Sequence, residues 1–166
     1  MITLRCTKKL QDFLGIELTE LLLPTSSMLG DWYANLIDTR AGRLILIVNE
    51  KTLLAVAIPV LSASRLEDWF RMRVYNLLQM IGVDAKVAAD ELAHYEEVQY
   101  AKTASRSVLG SMNEFTYAIQ YWFDPEYGEL NQSISDLEVW LSEEVCFPLE
   151  HTFPQNEARV LLGGEV

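Results

Sequence analysis

Trp32-Tyr33-Ala34-Asn35-Leu36-Ile37-Asp38-Thr39, the corner Arg40-Ala41-Gly42, Arg43-Leu44-Ile45-Leu46-Ile47-Val48-Asn49-Glu50, the corner Lys51-Thr52 and Leu53-Leu54-Ala55-Val56-Ala57-Ile58-Pro59-Val60 read as three strand-length runs joined by two tight polar turns. β-Branched and aromatic residues fill the runs, while glycine at one corner and Asn49 to Thr52 at the other suit hairpins. The natural product is a three-strand antiparallel meander. Leu44 to Val48 is apolar at every position, which predicts a central strand covered on both faces. That cover has to come from helices.

Upstream, Ile2 to Cys6 reads as a short strand followed by a helix that Thr7 caps and Gly15 stops, with Leu10, Phe13 and Leu14 inward. Leu21 to Ser27 is loop around Pro24. Downstream, Ser64 and Glu67 have the spacing of a capping box, and Leu66, Trp69, Phe70, Val74, Leu77, Leu78 and Ile81 recur at helical spacing before Gly82. Asp84 caps a short helix to about Tyr95, and Val98 to Thr103 alternates as a strand. Ser111, with Glu114 three residues on, opens a helix marked by Met112, Phe115, Ile119, Trp122 and Phe123. Ile134, Leu137, Leu141 and Val145 mark another before Pro148, and the tail from about residue 155 is expected to be loosely ordered. Together these elements predict one α+β domain over residues 1–166. Its small, mostly antiparallel sheet combines the meander with the N-terminal and the later strand, under four to five helices.

Thirteen basic and twenty-four acidic side chains give a net charge of -11, which opposes nonspecific attraction to nucleic acid or to an anionic membrane. The acidity is all downstream. Residues 1–60 carry six bases and six acids, whereas from Ser107 onward there are eleven acids and one base, Arg159. Such a surface is simply solvated, docks a basic protein, or mimics nucleic acid to block a protein that binds it. Cys6 and Cys146 form no CxxC pair and are too few to staple a secreted fold. No apolar run approaches about 18 residues and no signal-peptide pattern opens the chain, so the expectation is a cytoplasmic protein with no membrane association.

The densest cluster of chemistry-bearing residues is Lys102-Thr103-Ala104-Ser105-Arg106-Ser107-Val108-Leu109-Gly110-Ser111-Met112-Asn113. Two cations, several hydroxyls and the amide ends of a helix starting at Ser111 suit a phosphate or carboxylate. The competing reading pairs Arg106 with an internal acid and uses Ser105, Ser107 and Ser111 as turn and cap groups, with Asn113 holding the loop. Lys8 and Lys9 sit at the start of a helix, where cations are disfavoured, so a negative neighbour is expected there: a ligand, or an acid such as Asp31 or Glu50. Asp31 and Trp32 open one strand, and Asn49 and Glu50 end another, positions from which functional side chains emerge. Trp32 equally suits the core. His94 and His151 lack the convergent partners of a metal site. No nucleophile elbow, phosphate loop or dinucleotide fingerprint is present, so no metal or cofactor is expected.

Arg5-Cys6-Thr7-Lys8-Lys9-Leu10, Leu29-Gly30-Asp31-Trp32-Tyr33-Ala34-Asn35-Leu36, Val48-Asn49-Glu50-Lys51-Thr52-Leu53 and Arg106-Ser107-Val108-Leu109-Gly110-Ser111-Met112-Asn113 resemble the bacterial family known as domain of unknown function 6933. The resemblance spans nearly the whole chain and implies a single-domain bacterial protein without implying an activity. Its motifs coincide with the candidate residues, and their clustering at strand ends implies one pocket. This chain departs from the pattern at Ser105, where asparagine is usual, and at Glu114, where aspartate is usual.

The functional expectation is a noncatalytic cytoplasmic binding or regulatory protein. Its acidic helical half would dock a basic partner, and a small anionic ligand would sit against Lys8, Lys9, Asp31, Trp32, Asn49, Lys102, Thr103, Arg106, Ser107, Ser111 and Asn113. The alternative is a metal-independent nuclease or nucleotide-acting enzyme of toxin type, with Glu50 as general base and Lys102 and Arg106 stabilising phosphate charge. An edge strand of the sheet is a route to pairing between subunits.

Overall fold

The computed structural model describes residues 1–126, 133–146 and 148–165. Strand β1 (Ile2–Cys6) is followed by helix α1 (Lys8–Leu14), then by the meander β2 (Trp32–Thr39), β3 (Gly42–Asn49) and β4 (Ala55–Pro59). Helices α2 (Leu66–Met80) and α3 (Ala85–Leu92) lead to β5 (Val98–Lys102), and α4 (Arg106–Trp122), α5 (Ile134–Ser142) and α6 (Pro154–Leu161) complete the chain. The sheet order is β4-β3-β2-β1-β5. Pairing is antiparallel through the long meander strands and parallel where β1 joins β2 and β5. The fold is α+β with a mostly antiparallel sheet.

Alternation along the strands divides the core in two. Ile2, Leu4 and Cys6 of β1, Trp32, Ala34 and Leu36 of β2, and Ile45 and Ile47 of β3 face a layer holding Leu10 of α1 and Phe70, Val74, Leu77 and Leu78 of α2. Tyr33, Ile37, Leu44, Leu46 and Val48 face the other way, against Val108, Met112, Phe115 and Ile119 of α4 and Leu137 and Leu141 of α5. β3 is buried on both faces, as its unbroken apolar run requires, although β2 is the middle strand of the five. β4 starts only at Ala55 because Thr52 and Leu53 belong to the corner. There the Asn49 side-chain oxygen accepts the N–H groups of Lys51 (3.2 Å) and Thr52 (2.9 Å), and Leu53 takes a left-handed φ of 57°.

Several local expectations are corrected. Phe13 is 42% exposed, and its ring lies under the Arg43 guanidinium at 5.5 Å from the centroid instead of in the core. Ser64 does not cap α2; it lies in a 3-10 turn over Val60–Arg65, and Glu67 accepts a hydrogen bond from the Tyr100 hydroxyl (2.6 Å) in place of closing a capping box. Val145 falls after α5 and is exposed. The expected loose tail carries α6, with Pro154 in its first turn and Ala158 and Leu162 buried in the first core layer.

Candidate functional site

β1 and β5 lie side by side in parallel, with Cys6 opposite Lys102, so both chains leave the sheet at the same end. There they part. Thr7 caps α1, which packs through Leu10 on the first face, whereas Ser105 caps α4, which packs through Val108 and Met112 on the second. In open parallel α/β sheets, adjacent strands whose following helices go to opposite faces take ligands outside their carboxyl ends, and β1 and β5 share that local arrangement.

Side-chain bonds hold both turns. The Thr7 hydroxyl accepts the Leu10 N–H (3.4 Å) and donates to the Asn35 side-chain oxygen (2.6 Å). The Ser105 hydroxyl accepts the Val108 N–H (3.2 Å), while the Ser105 N–H donates to the Tyr33 hydroxyl (3.1 Å). Lys102, Arg106 and Ser107 are exposed at this end, and Thr103 is half-buried. Among the described residues the side chains of Lys102 and Arg106 have no carboxylate partner, in contrast to Lys8, which pairs with Asp12 (2.6 Å), and Lys9, which pairs with Asp38 (3.6 Å). The two lysines thus meet acids, though neither of the two the sequence suggested. Both pairs are exposed and add little stability.

The start of α4 is the main correction to the sequence reading. The helix begins at Arg106, five residues before Ser111, which is buried inside it. Val108, Met112, Phe115 and Ile119 form one buried stripe at spacings of four, three and four, which requires the helix to include Val108. Gly110 is exposed within the helix at a cost of about 1 kcal/mol. Ser111 and Asn113 therefore stand well inside α4 and away from its first turn. Serine at position 105 keeps the capping role that asparagine fills equally well.

Four other candidates serve the frame. Trp32 is fully buried, and its indole N–H donates to the Tyr95 hydroxyl (2.8 Å). Asn49 is fully buried, and its amide donates to the carbonyls of Leu29 (2.8 Å) and Asp31 (3.2 Å). Asp31 accepts from Arg5 (2.9 Å) and from the Thr25 hydroxyl. Glu50 accepts the Asp31 N–H (3.1 Å) and packs against Gly30, where a Cβ would come within 2.9 Å of its carboxylate. Positive φ at Gly30 (76°) makes glycine the fitting residue there.

Arg5, which the motifs do not single out as a site residue, also belongs to this end of the sheet. Its Nη1 donates to the Lys102 carbonyl (3.2 Å), so it ties the ends of β1 and β5 to Asp31. The signal was available in the alternation: with Ile2, Leu4 and Cys6 inward on one face, Thr3 and Arg5 must point to the other. Burial pushes the Cys6 thiol up to about 12 and, with Glu114 and Glu144 adding to it, the Cys146 thiol up to about 11. At neutral pH both stay protonated and unreactive.

The fold is an α+β arrangement with a mixed five-stranded sheet, in which Lys102 and Arg106 are exposed where the chain leaves β5 beside the end of β1. The chain belongs to the family described as a domain of unknown function, DUF6933, which matches residues 3–157 and so takes in every candidate residue. No curated protein and no solved structure matches the chain. Among the described residues, no helix is long and apolar enough to cross a membrane.

Proposed function

We propose that this is a noncatalytic cytoplasmic binding protein that takes a small anion at the ends of β1 and β5 and turns its acidic helical half toward a basic partner. The observation that carries the reading is the pair Lys102 and Arg106, two exposed cations without carboxylate partners among the described residues, beside the first turn of α4. Arginine grips phosphate or carboxylate through two parallel N–H groups, and the helix start adds partial positive charge. Thr103 and Ser107 supply hydroxyls at the same turn. Free, buried cysteines fit a reducing compartment. Exposed Glu114, Glu143 and Glu150 give the helical half its acidic surface.

The toxin-type nuclease reading draws less support. It needs Glu50 beside Lys102 and Arg106, yet Glu50 follows β3, which β2 and β1 separate from β5. Three strand spacings amount to about 14 Å of sheet.

A thermal-shift screen of the protein and of Arg106→Ala against inorganic phosphate, nucleoside monophosphates and small carboxylates tests the reading. A ligand at about a hundred times its Kd stabilises the folded state by about 2.7 kcal/mol, a shift of about 5–10 °C for a chain of this size. The shift should vanish in Arg106→Ala while the ligand-free melting temperature stays put. A wild type that no anion stabilises, or an Arg106→Ala variant that is stabilised equally, refutes it.

A further inference from the structure

We propose that the groove between α3, the segment at Met28 and the end of α6 docks an amphipathic helix of a basic partner protein through two apolar anchors one helical turn apart. The proposal rests on the reading that the acidic half meets a basic partner, and it supplies the place and the mode.

The groove has two lobes. One of about 280 Å³ lies between Met28, Glu91 and His94, and one of about 240 Å³ lies between Gly82, Arg159 and Gly163. Val87 and Leu162 wall both, so the lobes are contiguous. Side chains at i and i+4 of a helix stand about 5–6 Å apart on one face, so one helix would offer an anchor to each of two lobes that share a wall. The lip is set on a firm base: the Met28 side chain is 52% exposed, while the backbone N–H groups of Met28 (3.0 Å) and Leu29 (3.1 Å) are fixed by the buried Glu91 carboxylate. A pliable thioether on a fixed backbone adapts to varied apolar anchors.

Charge selects the occupant. Asp84, Asp90, Glu165 and the buried Glu91 line the lobes, against Arg159 within them and Lys86 beside them, which leaves the groove net negative, with Asp84 and Glu165 as exposed carboxylates without a salt-bridge partner among the described residues. Arg159 bonds the Ile81 carbonyl through Nη1 (3.0 Å) and Asn156 through Nη2, while its buried Nε has no partner among the described residues, and its charge stays in the balance. Lys86, next to the groove on α3, is held by Asp90 (2.8 Å). A second copy of this chain would bring acidic rim to acidic rim at a net charge of -11 each, whereas lysines flanking an apolar stripe complement it.

The test uses two synthetic helix-forming peptides with the same leucine stripe, one with lysine and one with glutamate at the remaining positions. The lysine peptide should bind the full-length protein in a fluorescence polarisation titration, and the glutamate peptide should not. Met28→Ser and Val87→Ser should each weaken binding about tenfold, the loss of about 1.4 kcal/mol expected for a truncated anchor. If Val87→Ser lowers the melting temperature, Met28→Ser alone decides, because its side chain is half in solvent. Failure of the lysine peptide to bind, equal binding of both peptides, or indifference to Met28→Ser overturns the proposal, as does self-association of the chain that Met28→Ser abolishes. Arg106→Ala should leave peptide binding unchanged, so failure here and failure of the anion site are read separately.

Discussion

Replacing Arg73 by methionine should destabilise the protein strongly and in a pH-dependent way. Arg73 projects from α2 onto Glu138 of α5, whose carboxylate is nearly inaccessible and accepts the Arg73 Nε (3.0 Å), the Arg73 Nη2 and the backbone N–H of Ala57 in β4 (3.0 Å). Methionine leaves a buried carboxylate with one N–H, and breaking such a pair costs about 3–5 kcal/mol. For a chain of this length that is a melting shift of about 6–20 °C. Burial already raises the Glu138 pKa above its ordinary value, opposed by Arg73 and then by the Ala57 N–H. Losing the guanidinium raises it further. Because the folded state then favours the protonated acid, the variant's deficit should be largest near neutral pH and should narrow as pH falls through its new Glu138 pKa, by about 1.4 kcal/mol per unit of extra shift. Urea unfolding at pH 5 and pH 8, followed by the emission of Trp122 and Trp140, whose rings lie 4.9 Å apart, measures both quantities. Arg73→Met with Glu138→Met removes the buried charge and should recover part of the loss, leaving the unpaired Ala57 N–H at about 1–3 kcal/mol. A single-variant deficit below about 1 kcal/mol, or one that is the same at both pH values, would refute the argument.

The α4 start and the two thiols give further checks. Ser105→Ala should cost about 1 kcal/mol in chemical denaturation and Ser105→Asn almost nothing, since both native serine and asparagine cap; equal losses would place the cap elsewhere. In the folded protein Cys6 and Cys146, held protonated by burial, should react with a thiol-specific reagent at least about a hundredfold more slowly than in urea. Rapid labelling of native Cys6 would contradict its burial.

What could be read in the sequence was what local periodicity dictates. β1 and β2 match their expected bounds, because each is an alternating or β-branched run closed by a cap or turn residue. Thr7 and Gly15 bound α1 as read, since a threonine hydroxyl and a left-handed glycine are sufficient local instructions. The start of α4 is ambiguous in the local sequence because serines at 105 and 111 both have capping chemistry. Only the burial of Val108 against Tyr33 and its neighbours selects between them. Hydrophobicity alone points Phe13 inward, whereas its partner, Arg43, lies two strands away in sequence and is invisible to local spacing. The site shows the same division. Cation-rich stretches at Lys8 and Lys102 were legible, but the parallel pairing of β1 with β5 that sets Cys6 beside Lys102 is a long-range fact. So is the role of Asn49 and Asp31 as braces between Leu29, Thr25 and Arg5.

Both edges of the sheet are occupied, and this bears on how the protein can associate. β4 is an outer strand, but its Ala57 N–H is taken by the Glu138 carboxylate that Arg73 holds in place. On the other side β5 has its Tyr100 carbonyl and N–H engaged by Thr19, through the Thr19 N–H (2.9 Å) and hydroxyl (3.0 Å). The edge pairing between subunits that the sequence suggested would have to displace a buried carboxylate at one edge or the Thr19 segment at the other. The same Glu138 that makes Arg73 indispensable therefore also closes the sheet.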